Sequence, residues 1–84
     1  MKIEIITPEQ KVFEGDIKSV RVPGKKGSFQ VLNNHAPIVS TLDSGAVTMV
    51  DMEGKQSVYE IGGGVIEVKA NKIILLADSV NINN

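Results

Sequence analysis

Turn-forming residues interrupt this chain about every 8–12 residues, the spacing of short strands in a β-sandwich or barrel. Pro8, Gly15, Pro23-Gly24, Asn33-Asn34, Ser44-Gly45, Glu53-Gly54, Gly62-Gly63-Gly64, Asn71 and Asp78 cut the sequence into short apolar runs. No run repeats its apolar residues at i, i+3, i+4 and i+7 over three helical turns, as an amphipathic helix requires. Val and Ile are abundant, and their branched side chains pack well on a pleated surface. Some eight to ten short strands are expected, in an all-β sandwich or barrel.

At 84 residues the chain reads as one domain, 1–84, with a small core. It has no cysteine, so neither disulfides nor thiolate zinc sites can staple it, and a reducing compartment fits. Acids and bases are interspersed and the net charge is −1, which gives no footprint for nucleic acid. No apolar run approaches the roughly 20 residues of a membrane span. The first residues lack the apolar stretch of a secretory signal.

Residues 2–7 alternate and read as a strand ended by Pro8. Residues 11–14 read as a second strand stopped by Gly15. Between residues 16 and 22 the apolar parity changes from Ile17 to Val20 and Val22, which predicts a bulge near Lys18-Ser19. A turn over 23–27 leads into a strand at 28–32, with Phe13 and Phe29 expected in the core. Ile38, Val39 and Leu42 are expected to make apolar contacts before a turn at Ser44-Gly45. Residues 46–52 and 56–61 flank Glu53-Gly54-Lys55 as a hairpin. The triple glycine is expected to separate that hairpin from a strand at 65–69. Residues 72–77 are nearly all apolar, which predicts a central strand buried on both faces.

Sites for chemistry are few. His35 is the only histidine and has no cysteine to join it in a zinc set. No serine sits in a G-x-S-x-G elbow. A pairing of His35 with Asp43 for proton transfer has no spacing signature, and a structural or interface role is expected for His35. The glycines near Lys25 and at 62–64 precede strands, whereas a phosphate loop must open a helix. Phe13, Phe29 and Tyr59 are too few to stack single-stranded nucleic acid. Lys55 in its hairpin could carry a lipoyl or biotinyl group, but Met-Glu-Gly-Lys-Gln departs from the carrier motifs. Neither a cofactor nor a metal is expected.

Two separated motifs carry a family resemblance. Gly27-Ser28-Phe29-Gln30-Val31-Leu32 followed by His35-Ala36-Pro37 matches G-x-[LF]-x-[IV]-L-x-x-H-A-P. Gly45 and Val47 follow, and Gly63-Gly64-Val65-Ile66-Glu67-Val68 with Ile73, Leu75, Leu76, Ala77 and Asp78 matches a terminal G-G-x-[LIV]-E-V…L-A-D. With the opening ITPEQKVFEG, these make the chain resemble the N-terminal domain of the epsilon subunits of F-type ATP synthases over almost its whole length. The resemblance implies a flattened β-sandwich of about ten short strands. It implies a non-catalytic rotor subunit of the central stalk that binds the gamma subunit and the c-ring and couples ion translocation to ATP synthesis. It places the protein on the cytoplasmic face of the bacterial cell membrane, associated with the membrane only through the complex.

Carried over by position, Gly24, Lys25, Lys26, Gly27 and Ser28 are expected at the c-ring, and His35, Ala36, Pro37, Ile38, Val39 and Thr41 near gamma. The family usually has Pro-Gly where this chain has Asn33-Asn34, and both pairs suit a tight turn. Six residues after Asp78 leave no room for the inhibitory C-terminal helical hairpin of many epsilon subunits, so no such arm is expected.

Overall fold

Apolar residues at every second position decide which side of each strand turns inward. In the computed structural model, which describes residues 1–83, these runs form seven strands and no helix. They are β1 (Lys2–Ile6), β2 (Lys11–Val22), β3 (Phe29–Leu32), β4 (Ile38–Asp51), β5 (Gln56–Lys69), β6 (Lys72–Ala77) and β7 (Val80–Asn83). Ile3 and Ile5 of β1, Ile66 and Val68 of β5, and Ile73, Leu75 and Ala77 of β6 point inward. They meet Val20 and Val22 of β2, Val31 of β3 and Val47 and Met49 of β4 in one buried cluster. Each fully buried Ile or Leu contributes about 1.5–3 kcal/mol to folding.

The strands run in the order β1-β6-β5-β4-β2-β3, and β1 also pairs with β2, which closes a ring of five. Only the β1–β6 pairing is parallel among the described ladders. Three long strands serve both layers of the flattened ring. Residues 11–16 of β2, then β1, β6, residues 64–69 of β5 and residues 38–42 of β4 make one layer. Strand β3, residues 17–22 of β2, residues 46–51 of β4, residues 56–61 of β5 and β7 make the other. Seven strands therefore replace the expected ten or so, because β2, β4 and β5 each contribute a segment to both layers.

That continuity corrects several sequence expectations. Gly15 does not stop a strand but lies within β2 beside the Phe13 ring. Ser44-Gly45 lies inside β4 and makes no turn. The triple glycine carries β5 across between layers instead of separating two strands. Gly63 has φ +102°, and a Cβ on Gly64 would collide with the Leu76 carbonyl oxygen. Strand β6 is buried on one face only, since Leu76 is 51% exposed. Phe13 and Phe29 pack on the core without being buried in it, and Phe13 meets Tyr59 edge-on at 6.1 Å between centroids. The register shift between Ile17 and Ser19 lies where the parity change placed it.

Candidate partner-binding surface

The registers of four ladders fix what the outer face of the β1–β6 layer presents. Reading across, Val39 pairs with Glu67, Glu67 with Ile74, Ile74 with Glu4 and Glu4 with Glu14. One row along, Thr41 pairs with Val65, Val65 with Leu76, Leu76 with Ile6 and Ile6 with Lys11. The face thus divides into an apolar half, built from Val39, Thr41, Val65, Ile74, Leu76 and Ile6 with Glu67 among them, and a charged half on β1 and β2 joined by Lys72 of β6.

In the charged half, Glu4 and Glu14 stand directly opposite each other, a like-charge pairing that is unfavourable alone. Three lysines offset it. Lys11 reaches Glu4 at 3.0 Å and Glu14 at 2.9 Å, Lys2 reaches Glu14 at 2.9 Å, and Lys72 reaches Glu4 at 3.3 Å. The hydrogen bond from Lys2, then that from Lys11, holds the Glu14 carboxyl down at about 2. Hydrogen bonding from Lys11 likewise lowers that of Glu4.

The apolar half has no such internal partners. Val39 is 69% exposed and Val65 39%, and an open groove at its end is lined by Ile6, Pro8, Val65 and Leu76. Of the segment expected near gamma, Val39 and Thr41 face outward, while Ile38 packs partly against the core. Val65 and Leu76 belong to the same face and were missed by sequence reasoning. Only ladder register joins them to Val39, and the apolar β6 run hides its own alternation.

The turn at 24–28 is rigid for its length. Gly27 N–H donates to the Gly24 carbonyl at 2.9 Å, and Lys25 N–H donates to the Thr41 carbonyl at 3.1 Å. Gly24 bridges to Leu42, and Asp43 N–H donates to the Pro23 carbonyl at 2.7 Å. A Cβ on Gly24 would lie 2.6 Å from the Gly27 carbonyl oxygen. Lys25, Lys26, Gly27 and Ser28 are exposed. The turn therefore adjoins Thr41, at the edge of the apolar half.

The stretch His35, Ala36 and Pro37 lies elsewhere. Strand β3 separates it from the turn by about 13 Å of extended chain. His35 is half-buried, its Nδ1 2.7 Å from the Ala36 carbonyl oxygen. Asn34, at φ +62°, turns the chain, and its N–H donates to Asn71 Oδ1 at 2.9 Å while Asn71 Nδ2 donates to Asn33 Oδ1 at 2.8 Å. The Asn pair thus turns the chain and also clasps the β5–β6 hairpin, which a Pro-Gly pair has no side-chain amide to do. Lys55 is solvent-exposed in the β4–β5 hairpin, where Asp51 accepts the N–H groups of Glu53 and Lys55, each at 2.9 Å. Among the described residues no group of three or more His, Cys, Asp or Glu is placed to hold a metal.

Comparison with known proteins agrees with this architecture. Residues 1–82 match the sequence model of the ATP synthase delta/epsilon chain β-sandwich domain. The ATP synthase epsilon chain of Chlorobaculum tepidum is 42% identical over 94% of this chain and 90% of its own length. That of Campylobacter hominis is 40% identical over 90% of this chain, which spans 59% of that longer protein. A chain in the Euglena gracilis mitochondrial ATP synthase OSCP/F1/c-ring structure superposes with a TM-score of 0.90 at 17% identity. The match covers 95% of the present chain and about half of that one, 51%. A chain of the Tetrahymena thermophila ATP synthase central stalk and c-ring superposes with a TM-score of 0.82. By sequence and by fold, the chain belongs to the ATP synthase delta/epsilon chain family, as its β-sandwich domain.

Proposed function

We propose that this epsilon chain is a non-catalytic rotor subunit that docks on gamma through the apolar half of its outer face and on the c-ring through the 24–28 turn. The observation that carries the reading is the unpartnered patch of Val39, Thr41, Val65, Leu76 and Ile6, spread over two neighbouring rows, beside a charged half that satisfies itself. An apolar patch rimmed by charge is the usual mark of a protein–protein interface. The rigid sandwich would pass torque between its two contacts, coupling ion flow in the membrane to ATP synthesis at a distance. The relatives bear the name of a synthase subunit, and the solved neighbours come from central-stalk and c-ring assemblies, which supports that placement. In a bacterium the site of action would be the cytoplasmic face of the cell membrane, reached through the complex.

Co-expression with the gamma subunit of the same organism, followed by size exclusion, tests the apolar contact. A stable one-to-one complex that Leu76→Glu abolishes is expected. Parent chain and variant eluting alike with gamma would sink this assignment of the face.

A further inference from the structure

We infer that the 24–28 turn is a cationic contact made for an acidic partner, so that the ring loop seated on it carries carboxylates. This rests on the ring-docking reading above and names the chemistry of that contact. The chain holds nine Lys and Arg residues, and Lys2, Lys11 and Lys72 are neutralised within the charged half of the outer face. At the turn the situation is reversed. Lys25 and Lys26 are adjacent and exposed, and among the described residues neither forms an ion pair. Arg21 donates to Ser28 Oγ at 3.4 Å, which brings a third cation to the same turn.

Asp43 of β4 borders the turn, yet among the described residues no ion pair joins its carboxylate to Lys25 or Lys26. Asp43 is fastened to the turn through its backbone, but its Oδ1 accepts the N–H of Ser44 at 3.0 Å. The turn's own backbone is pinned by the bonds to Gly24 and Thr41, which fixes where the two lysine side chains leave the chain. Two adjacent like charges, neither of them in an ion pair among the described residues, repel each other. Complementary charge on a partner relieves that repulsion, speeds encounter and fixes orientation. A neutral or basic loop would leave it in place.

The test is the affinity of the full chain for a purified gamma–c-ring complex of the same organism in uncharged detergent, at low and at high salt. Lys25→Glu with Lys26→Glu should weaken binding about tenfold or more at low salt, and high salt should narrow the difference. The matched Arg pair should bind like the parent, and exchanging a ring-loop carboxylate for lysine should restore the charge-reversed variant. Melting temperatures should agree among all forms, because neither lysine has a partner to lose. Equal affinity of parent and charge-reversed variant would overturn the inference and leave ring docking standing. Absence of ring-dependent binding by the parent would overturn both. Vesicles containing phosphatidylglycerol, without the ring, are the control for lipid. If they capture the parent through Lys25 and Lys26 while ring affinity ignores these residues, the anion is a headgroup and the inference is wrong.

Discussion

The two halves of the outer face share one sheet and the same ladders, yet they solve opposite problems. On β1 and β2, Glu4 and Glu14 would repel each other, and the sequence places Lys2, Lys11 and Lys72 around them. On β4, β5 and β6, the outward positions hold Val39, Thr41, Val65, Ile74 and Leu76, with Glu67 among them and Lys69 and Lys72 at the far end. The first half is complete within the chain. The second is the half that the proposed gamma contact would cover, because exposed apolar area of this kind gains free energy when water leaves it. On the proposed docking, neighbouring parts of one layer would separate holding the fold from holding a partner.

The sharpest way to break that separation compares two adjacent residues of β6. Leu75 is fully buried, while Leu76 is half-exposed. Leu75→Ala should cost about 2–5 kcal/mol in denaturant unfolding, from lost transfer energy and a residual cavity. Leu76→Ala should cost less than about 1 kcal/mol by the same measurement. Similar losses at the two positions would mean that β6 is buried on both faces after all.

Binding should show the reverse order. Leu76→Glu or Val65→Glu should remove about 2–4 kcal/mol of gamma affinity while leaving the melting temperature near that of the parent. Val39→Glu should also fold, since its side chain already faces water, and should weaken the same complex. Lys72→Ala, in the charged half, is the contrasting variant and should leave gamma affinity nearly unchanged. Isothermal titration with purified gamma would read all four. A Lys72→Ala loss as large as that of Leu76→Glu would move the interface onto the charged half.

A smaller effect concerns the clasp at the other end of the sandwich. Asn71→Gly keeps the left-handed backbone that φ +61° requires but deletes both amide bonds to Asn33 and Asn34. It should lower stability by about 1 kcal/mol. Asn33→Ala should lose only the bond from Asn71 Nδ2, and unfolding curves of the two variants would separate the contributions.

The sequence made the strand content and the Lys18-Ser19 bulge legible, because both follow from local parity. The turns at Pro23-Gly24, Asn33-Asn34 and Glu53-Gly54 were legible from residue chemistry alone. Strand continuity through Gly15, Ser44-Gly45 and Gly62-Gly63-Gly64 was not. A glycine that ends a strand and one that lets a strand cross between layers look the same in sequence, and only the neighbour, Leu76 against Gly64, tells them apart. Pairing of β7 with β5 was hidden for a related reason, since a short terminal segment gains its ladder only once β5 is in place. The face proposed for gamma was half legible. Val39 and Thr41 closely follow a recognisable motif, whereas Val65 and Leu76 join them through registers that no local pattern encodes. The charged half was invisible to composition, because Glu4, Glu14 and Lys72 are brought together by three different strands.

The smallest expected effect tests whether that charged half stabilises the fold at all. Exposed ion pairs contribute little one by one, and only a network around an unfavourable pair is expected to show in a measurement. Glu14 has its folded-state pKa held down to about 2 by Lys2 and Lys11, below the ordinary value of 4.5. A depressed carboxylate contributes stability that is fully present above its unfolded pKa and is lost as pH falls through the folded one. The contribution of Glu14 should therefore be intact at neutral pH and disappear between about pH 4.5 and about pH 2. Glu14→Gln should melt slightly below the parent at neutral pH, and the two curves should converge across that acid window. The convergence should weaken in high salt, which screens the lysines. Parallel curves from neutral pH down to about pH 2 would mean that Glu14 gains nothing from its lysines, and that the charged half merely tolerates the Glu4–Glu14 pairing.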